Sequence, residues 1–114
     1  MAKNVTIYHN PKCTTSCNVL AMIEASGAKP KVVEYLKVGW TKPQLKALFA
    51  AAGLTPREAM RKKAAEDLGI SEKATAAEIL DAMVAHPVLV ERPFVETSKG
   101  TVLARPKERV KEIL

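Results

Sequence analysis

The chain is expected to fold as one α/β domain over residues 1–114, with strands near both ends and helices between them. Three features carry that expectation. An alternating run, Val5-Thr6-Ile7-Tyr8, gives way to a helical pattern and then to a second β-rich run, Val32-Val33-Glu34-Tyr35. The middle of the chain holds a succession of Ser/Thr-x-x-Glu/Gln boxes, each the signature of a helix start. Strand patterns then return on either side of a short Gly-containing loop, Ser98-Lys99-Gly100.

In Asn4 to Tyr8, Val5 and Ile7 point one way and Thr6 and Tyr8 the other, as a strand with one better-buried face requires. His9-Asn10-Pro11 ends it as a turn. From Ser16 onward, Val19, Leu20 and Ile23 share a helical face, and Gly27 follows as a stop. Lys31 to Leu36 reads as the second strand, so the first unit is β-α-β with parallel strands. Thr41 with Gln44, Thr55 with Glu58 and Thr75 with Glu78 open three further helices. The first is closed by Gly53, the second has Pro56 at its first position, and the third ends near His86-Pro87. Three successive helices break a simple β-α alternation and look like a helical insertion between two halves of one sheet. Val88-Leu89-Val90, Phe94 to Thr97 and Thr101 to Leu103 are strand candidates, and Pro106 opens a last helix that buries Val110 and Ile113.

Composition narrows the function. Apolar residues make up 47% of the chain and charged residues 26%, which suits a water-soluble domain with a real core. No run of apolar residues is long enough to span a membrane. The opening Met1-Ala2-Lys3-Asn4 has no signal-peptide pattern, so a cytoplasmic protein is expected. The net charge of +6 fits an anionic partner, but aromatics are only 4%, too few to stack bases, so nucleic acid is not the expected one. Arg61-Lys62-Lys63 is short, and Lys62 and Lys63 read as a solvated helix face. The two cysteines, Cys13 and Cys17, stand too close in sequence to staple a domain; in a reducing compartment they read as reactive thiols or small buried residues.

Cys13 lies between the first strand and the first helix, with Thr14, Thr15 and Ser16 each able to cap that helix. A helix start offers unpaired N–H groups and positive potential, which stabilise a thiolate and also hold oxyanions. One place can therefore make a nucleophile and bind an anionic substrate beside it. His9 could favour the thiolate as an imidazolium, or simply hydrogen-bond at the strand end. Asn10 and Ser16 could donate to thiolate or oxyanion, or form turn and cap. The two histidines and two thiols have no zinc spacing, so no metal is expected.

Tyr8-His9-Asn10-Pro11-Lys12-Cys13 resembles the opening of the glutaredoxin-coupled arsenate reductases. Arg57 to Lys63 resembles that family's Arg-x-x-x-Arg-Lys helix, His86-Pro87-Val88-Leu89-Val90-Glu91-Arg92-Pro93 its His-Pro-Ile-Leu-x-x-Arg-Pro signature, and Gly100 to Pro106 its Gly-x-x-Leu-x-Arg-Pro segment. The resemblance covers nearly the whole chain. It implies a thioredoxin-like fold: a central mixed sheet flanked by helices, with a helical insertion between the two halves. It also implies that Arg61, Arg92 and Arg105 gather around Cys13 to bind the oxyanion, and that Arg92-Pro93 is cis. By the same resemblance, the Cys13 thiolate attacks arsenate and expels water. Glutathione then forms an adduct, glutaredoxin reduces it, and arsenite leaves. Glutathione is thus a co-substrate, no cofactor is bound, and the enzyme is expected to be a monomer.

The family pattern continues from its cysteine as Gly-Thr-Ser-Arg, where this chain has Thr14-Thr15-Ser16-Cys17, without the loop glycine and the arginine. Thr15 is a further candidate near the anion. Cys17 could be a resolving thiol or could pack against the sheet as a small apolar residue. Two other readings share the fold: a thiol-dependent reductase-like protein without arsenate activity, and an Spx-like redox regulator that binds RNA polymerase. The regulators carry Cys-x-x-Cys, whereas this chain has Cys-x-x-x-Cys. Phosphatase-like arsenate reductases need Cys-x5-Arg, and Val19 occupies that arginine position here.

Overall fold

The computed structural model describes residues 4–114; Met1, Ala2 and Lys3, the start of the opening read above for a signal peptide, lie outside the described residues. By its internal contacts the chain forms two units. Residues up to Val38 together with Arg92–Leu114 make an α/β unit, and Gly39–Glu91 make a helical one.

The α/β unit is built on a four-stranded mixed sheet in the order β2-β1-β3-β4. Its strands are β1 (Thr6–Tyr8), β2 (Lys31–Val33), β3 (Phe94–Thr97) and β4 (Gly100–Leu103). β1 pairs parallel to β2 and antiparallel to β3, and β3 pairs antiparallel to β4. Register follows the two-residue period of the strands. Ile7 stands opposite Val95, and Val95 opposite Val102, so one face of the sheet carries an apolar row. Helix α1 (Thr14–Ala25) lays Val19 and Ile23 on that row, and the 3-10 segment Lys107–Ile113 adds Val110 and Ile113. Thr97 ties this last segment to the hairpin, its hydroxyl donating to the Ile113 carbonyl at 2.6 Å. The peptide bonds Arg92-Pro93 and Arg105-Pro106 are both cis; the family resemblance implied the first, and nothing in the sequence pointed to the second.

The second strand is shorter than expected. After Val33 the chain turns into a short helix, α2 (Tyr35–Val38), because the Lys37 and Val38 N–H groups both fold back onto the Glu34 carbonyl. Tyr35 is thereby buried, and Gly39, at φ +76, lets the chain leave the helix.

The helical unit contains α3 (Lys42–Ala52), α4 (Lys62–Leu68) and α5 (Ala76–Ala85). Thr41–Gln44 and Thr75–Glu78 form reciprocal capping boxes at α3 and α5, and Gly53 closes α3 in the left-handed region. The expected helix at Thr55 is corrected to a single turn. Its capping bonds form, but Met60 bridges to Val90 and the Arg61 N–H donates to Leu89, so extended pairing ends the turn. The candidate strand Val88-Leu89-Val90 is also corrected: Pro87–Leu89 is a 3-10 turn that only meets the bridge at Val90. The expected final helix is present as the 3-10 segment already described. Among the described residues, no helix is long and apolar enough to cross a membrane.

Candidate active site

The loop after β1 is held by its own side chains. The His9 N–H extends the β1–β2 ladder to the Val33 carbonyl at 2.8 Å, and the Cys13 N–H turns back to the Asn10 carbonyl at 3.0 Å. The Asn10 carboxamide oxygen accepts from the Lys12 N–H at 3.0 Å, an Asx-type brace. Ser16, on the first turn of α1, is fully buried, and its hydroxyl oxygen accepts from the Asn10 N–H at 3.1 Å. The same hydroxyl lies 2.6 Å from Nδ1 of His9. One serine thus joins the strand end, the turn and the helix start.

Cys13 is the N-cap residue of α1, in an extended backbone conformation, and its carbonyl accepts from the Cys17 N–H at 3.0 Å. Its thiol is nearly buried. Burial alone would raise the thiol pKa. The Ser16 backbone N–H, the guanidinium of Arg92 by hydrogen bonding and charge, and that of Arg105 outweigh burial and hold it below the ordinary cysteine value. The Ser16 N–H faces the sulfur without closing to a full cap bond. Arg105 places Nη1 at 4.0 Å from the sulfur and donates from the same nitrogen to the Arg92 carbonyl at 3.0 Å. Arg92 itself is only 8% exposed, and its Nε and Nη1 are buried without a hydrogen-bond partner among the described residues.

Burial lowers the His9 pKa, with the Glu34 carboxylate opposing, which favours the neutral imidazole. Its ring is hydrogen-bonded to the Ser16 hydroxyl. A neutral ring protonated on Nε2 can accept the Ser16 O–H at Nδ1, leaving the hydroxyl oxygen for Asn10.

A cap-position thiol with a lowered pKa beside a buried, under-used guanidinium is the chemistry of an oxyanion-handling cysteine. The model of the ArsC family matches residues 8–113. The chain belongs to the ArsC family. It is 58% identical to "Arsenate reductase ArsI2" of Synechocystis sp. over 96% of this chain and 81% of that protein. It is 46% identical to the arsenate reductase of Escherichia coli K12 over 97% of this chain and 81% of that one. Among solved structures, an arsenate reductase from Vibrio cholerae superposes with a TM-score of 0.91 at 36% identity, covering 100% of both chains. The α/β fold with its mixed four-stranded sheet matches these thioredoxin-like ArsC structures.

Within this ArsC chain, Cys13, His9, Asn10, Ser16, Arg92 and Arg105 fall in one unit and meet at one loop. Thr15 lies on the first turn of α1, half-buried, and borders a cleft that Arg105 also lines. Arg61 belongs to the helical unit, where it is the N-cap of α4. Both thiols are free. Cys17 is exposed, with its sulfur donating to the Pro11 carbonyl at 3.3 Å, which rules out packing against the sheet. Its side chain leaves the helix on the solvent side because Val19 and Ile23 define the buried stripe. Two participants were missed from the sequence. Glu34 faces His9 across the strand pair, a placement no local pattern signals. The Arg92 carbonyl anchors Arg105, which only the folded backbone reveals. Among the described residues, no cluster of three or more His, Cys, Asp or Glu side chains is placed to hold a metal ion.

Proposed function

We propose that the protein is an arsenate reductase in which the Cys13 thiolate attacks arsenate held beside Arg92 and Arg105. The observation that carries this reading is the Arg92 guanidinium, buried next to the sulfur with two nitrogens unpaired among the described residues. A buried charged donor without an acceptor is costly, and an oxyanion supplies what is missing. The likeness to arsenate reductases supports the choice of anion.

The sulfur forms a bond to arsenic as an arsenic–oxygen bond breaks, and the departing oxygen leaves as water after protonation. Arg92 and Arg105 offset the repulsion between two anions and stabilise charge developing on the oxygens. Two electrons must then pass from thiols to arsenic. Overall, arsenate and two thiols give arsenite, a disulfide and water. Glutathione is the first external thiol in this reading and glutaredoxin the protein that clears the resulting mixed disulfide. The enzyme acts as a monomer, and a reducing cytoplasm suits its two free thiols. The family resemblance also assigns Arg61 to the oxyanion; Arg61→Ala tests that assignment through the KM for arsenate.

The direct test is an assay with arsenate, glutathione, glutaredoxin and an NADPH-linked recycling system. Arsenate-dependent NADPH oxidation is expected, and Cys13→Ser is expected to abolish it. Wild-type protein that gives no arsenate-dependent turnover would refute the assignment.

A further inference from the structure

A cleft of about 290 Å³ opens beside the nucleophile, lined by Thr15, Arg105, Pro106, Lys107 and Glu108. It lies just under the lower end of the range usual for small-ligand pockets, roughly 300 Å³, and so suits one end of a flexible ligand. Its wall includes Arg105, the same side chain whose Nη1 stands 4.0 Å from the Cys13 sulfur. The cleft and the reactive atom are therefore joined through one guanidinium. Arg105, Lys107 and Glu108 are all exposed to solvent at this rim.

The lining carries charges of both signs. Arg105 and Lys107 attract carboxylates, and Glu108 attracts a cationic group. A ligand that carries carboxylates and an ammonium together satisfies all three. We propose that this cleft seats an amino-acid end of glutathione, and so presents a glutathione sulfur to Cys13. Glutathione has carboxylates for Arg105 and Lys107, an ammonium for Glu108, and amide groups within reach of the Thr15 hydroxyl. The role in turnover rests on the reductase reading above, but the binding itself does not need arsenate.

Glutathione disulfide tests the seat without arsenate. The Cys13 thiolate attacks one of its sulfurs, the S–S bond breaks, and a glutathione thiolate leaves, so that Cys13 becomes a mixed disulfide. The rate of that step, followed by mass spectrometry at Cys13, is compared with the rate for the uncharged hydroxyethyl disulfide. The wild-type chain is expected to favour glutathione disulfide. Lys107→Glu is expected to lower that preference by about fivefold, the scale of one exposed charge contact reversed, and Lys107→Arg to keep it. Lys29→Glu makes the same change in net charge just before β2, at the end of the parallel pair opposite the Cys13 loop, and should leave the preference as it was. The proposal is overturned if the wild type shows no preference, or if Lys29→Glu and Lys107→Glu lower it equally. Failure here with intact arsenate turnover would remove the seat alone; success without arsenate turnover would keep the seat and remove the reductase.

Discussion

At Cys13, burial and charge pull the thiol pKa in opposite directions, and the directed donors win. Arg92 supplies both a hydrogen bond and a full charge among those donors. Arg92→Met is therefore expected to move the pH midpoint of Cys13 alkylation upward. It should also lower kcat/KM for arsenate by roughly 10²-fold, the usual effect of removing one preorganised anion donor. Ser16 plays a different part. Ser16→Ala takes away the acceptor of the buried Asn10 N–H and the partner of His9, at a cost of about 1–3 kcal/mol in urea denaturation. Because the backbone N–H of residue 16 remains, the thiol should stay more acidic than a free cysteine. Cys13 was legible in the sequence because a strand end, a turn and three capping residues bracket it. The fate of Cys17 was not. Four residues on from the cap, its facing depends on where the helix begins and which stripe the sheet buries.

Among the elements, the capping boxes show how far local chemistry reaches. All three form their reciprocal bonds, but only Thr41 and Thr75 start helices. At Thr55 the bridge between Met60 and Val90 and the bond from Arg61 to Leu89 outcompete propagation, and neither partner is near in sequence. Thr75→Ala should cost about 1 kcal/mol and speed amide hydrogen exchange in the first turn of α5. Strands were legible where one face is buried and the period of two is clean, as in β1, β3 and β4. They were misread where a strand-like run has no continuous ladder to join. Val88 and Leu89 follow Pro87 into a 3-10 turn, leaving Val90 a single bridge, and Glu34 to Leu36 turn off the sheet to bury Tyr35.

Across the whole molecule, the division into an α/β unit and a helical unit follows the pattern of strands at the ends and helices between, which the sequence carries in its periodicities. What the sequence could not carry is the meeting of Arg92 and Arg105 with Cys13, because it depends on β3 beginning and β4 ending beside β1's loop; only the family likeness pointed there. The ionisable groups of that loop also shape stability. Cys13 and His9 both have folded-state pKa values below their ordinary ones, so the unfolded chain binds more protons through those windows. Stability is therefore expected to rise with pH, first as His9's window is passed below ~6.5 and again as Cys13's is passed below ~8.5. Cys13→Ser should erase the second rise in urea titrations at successive pH values. The most direct test is the rate of Cys13 alkylation by iodoacetamide against pH, with and without sulfate as an unreactive stand-in for the substrate anion. A midpoint below ~8.5, with alkylation slowed by sulfate, is the predicted result. A midpoint at or above that value, indifferent to sulfate, would contradict an anionic sulfur beside a prepared anion seat.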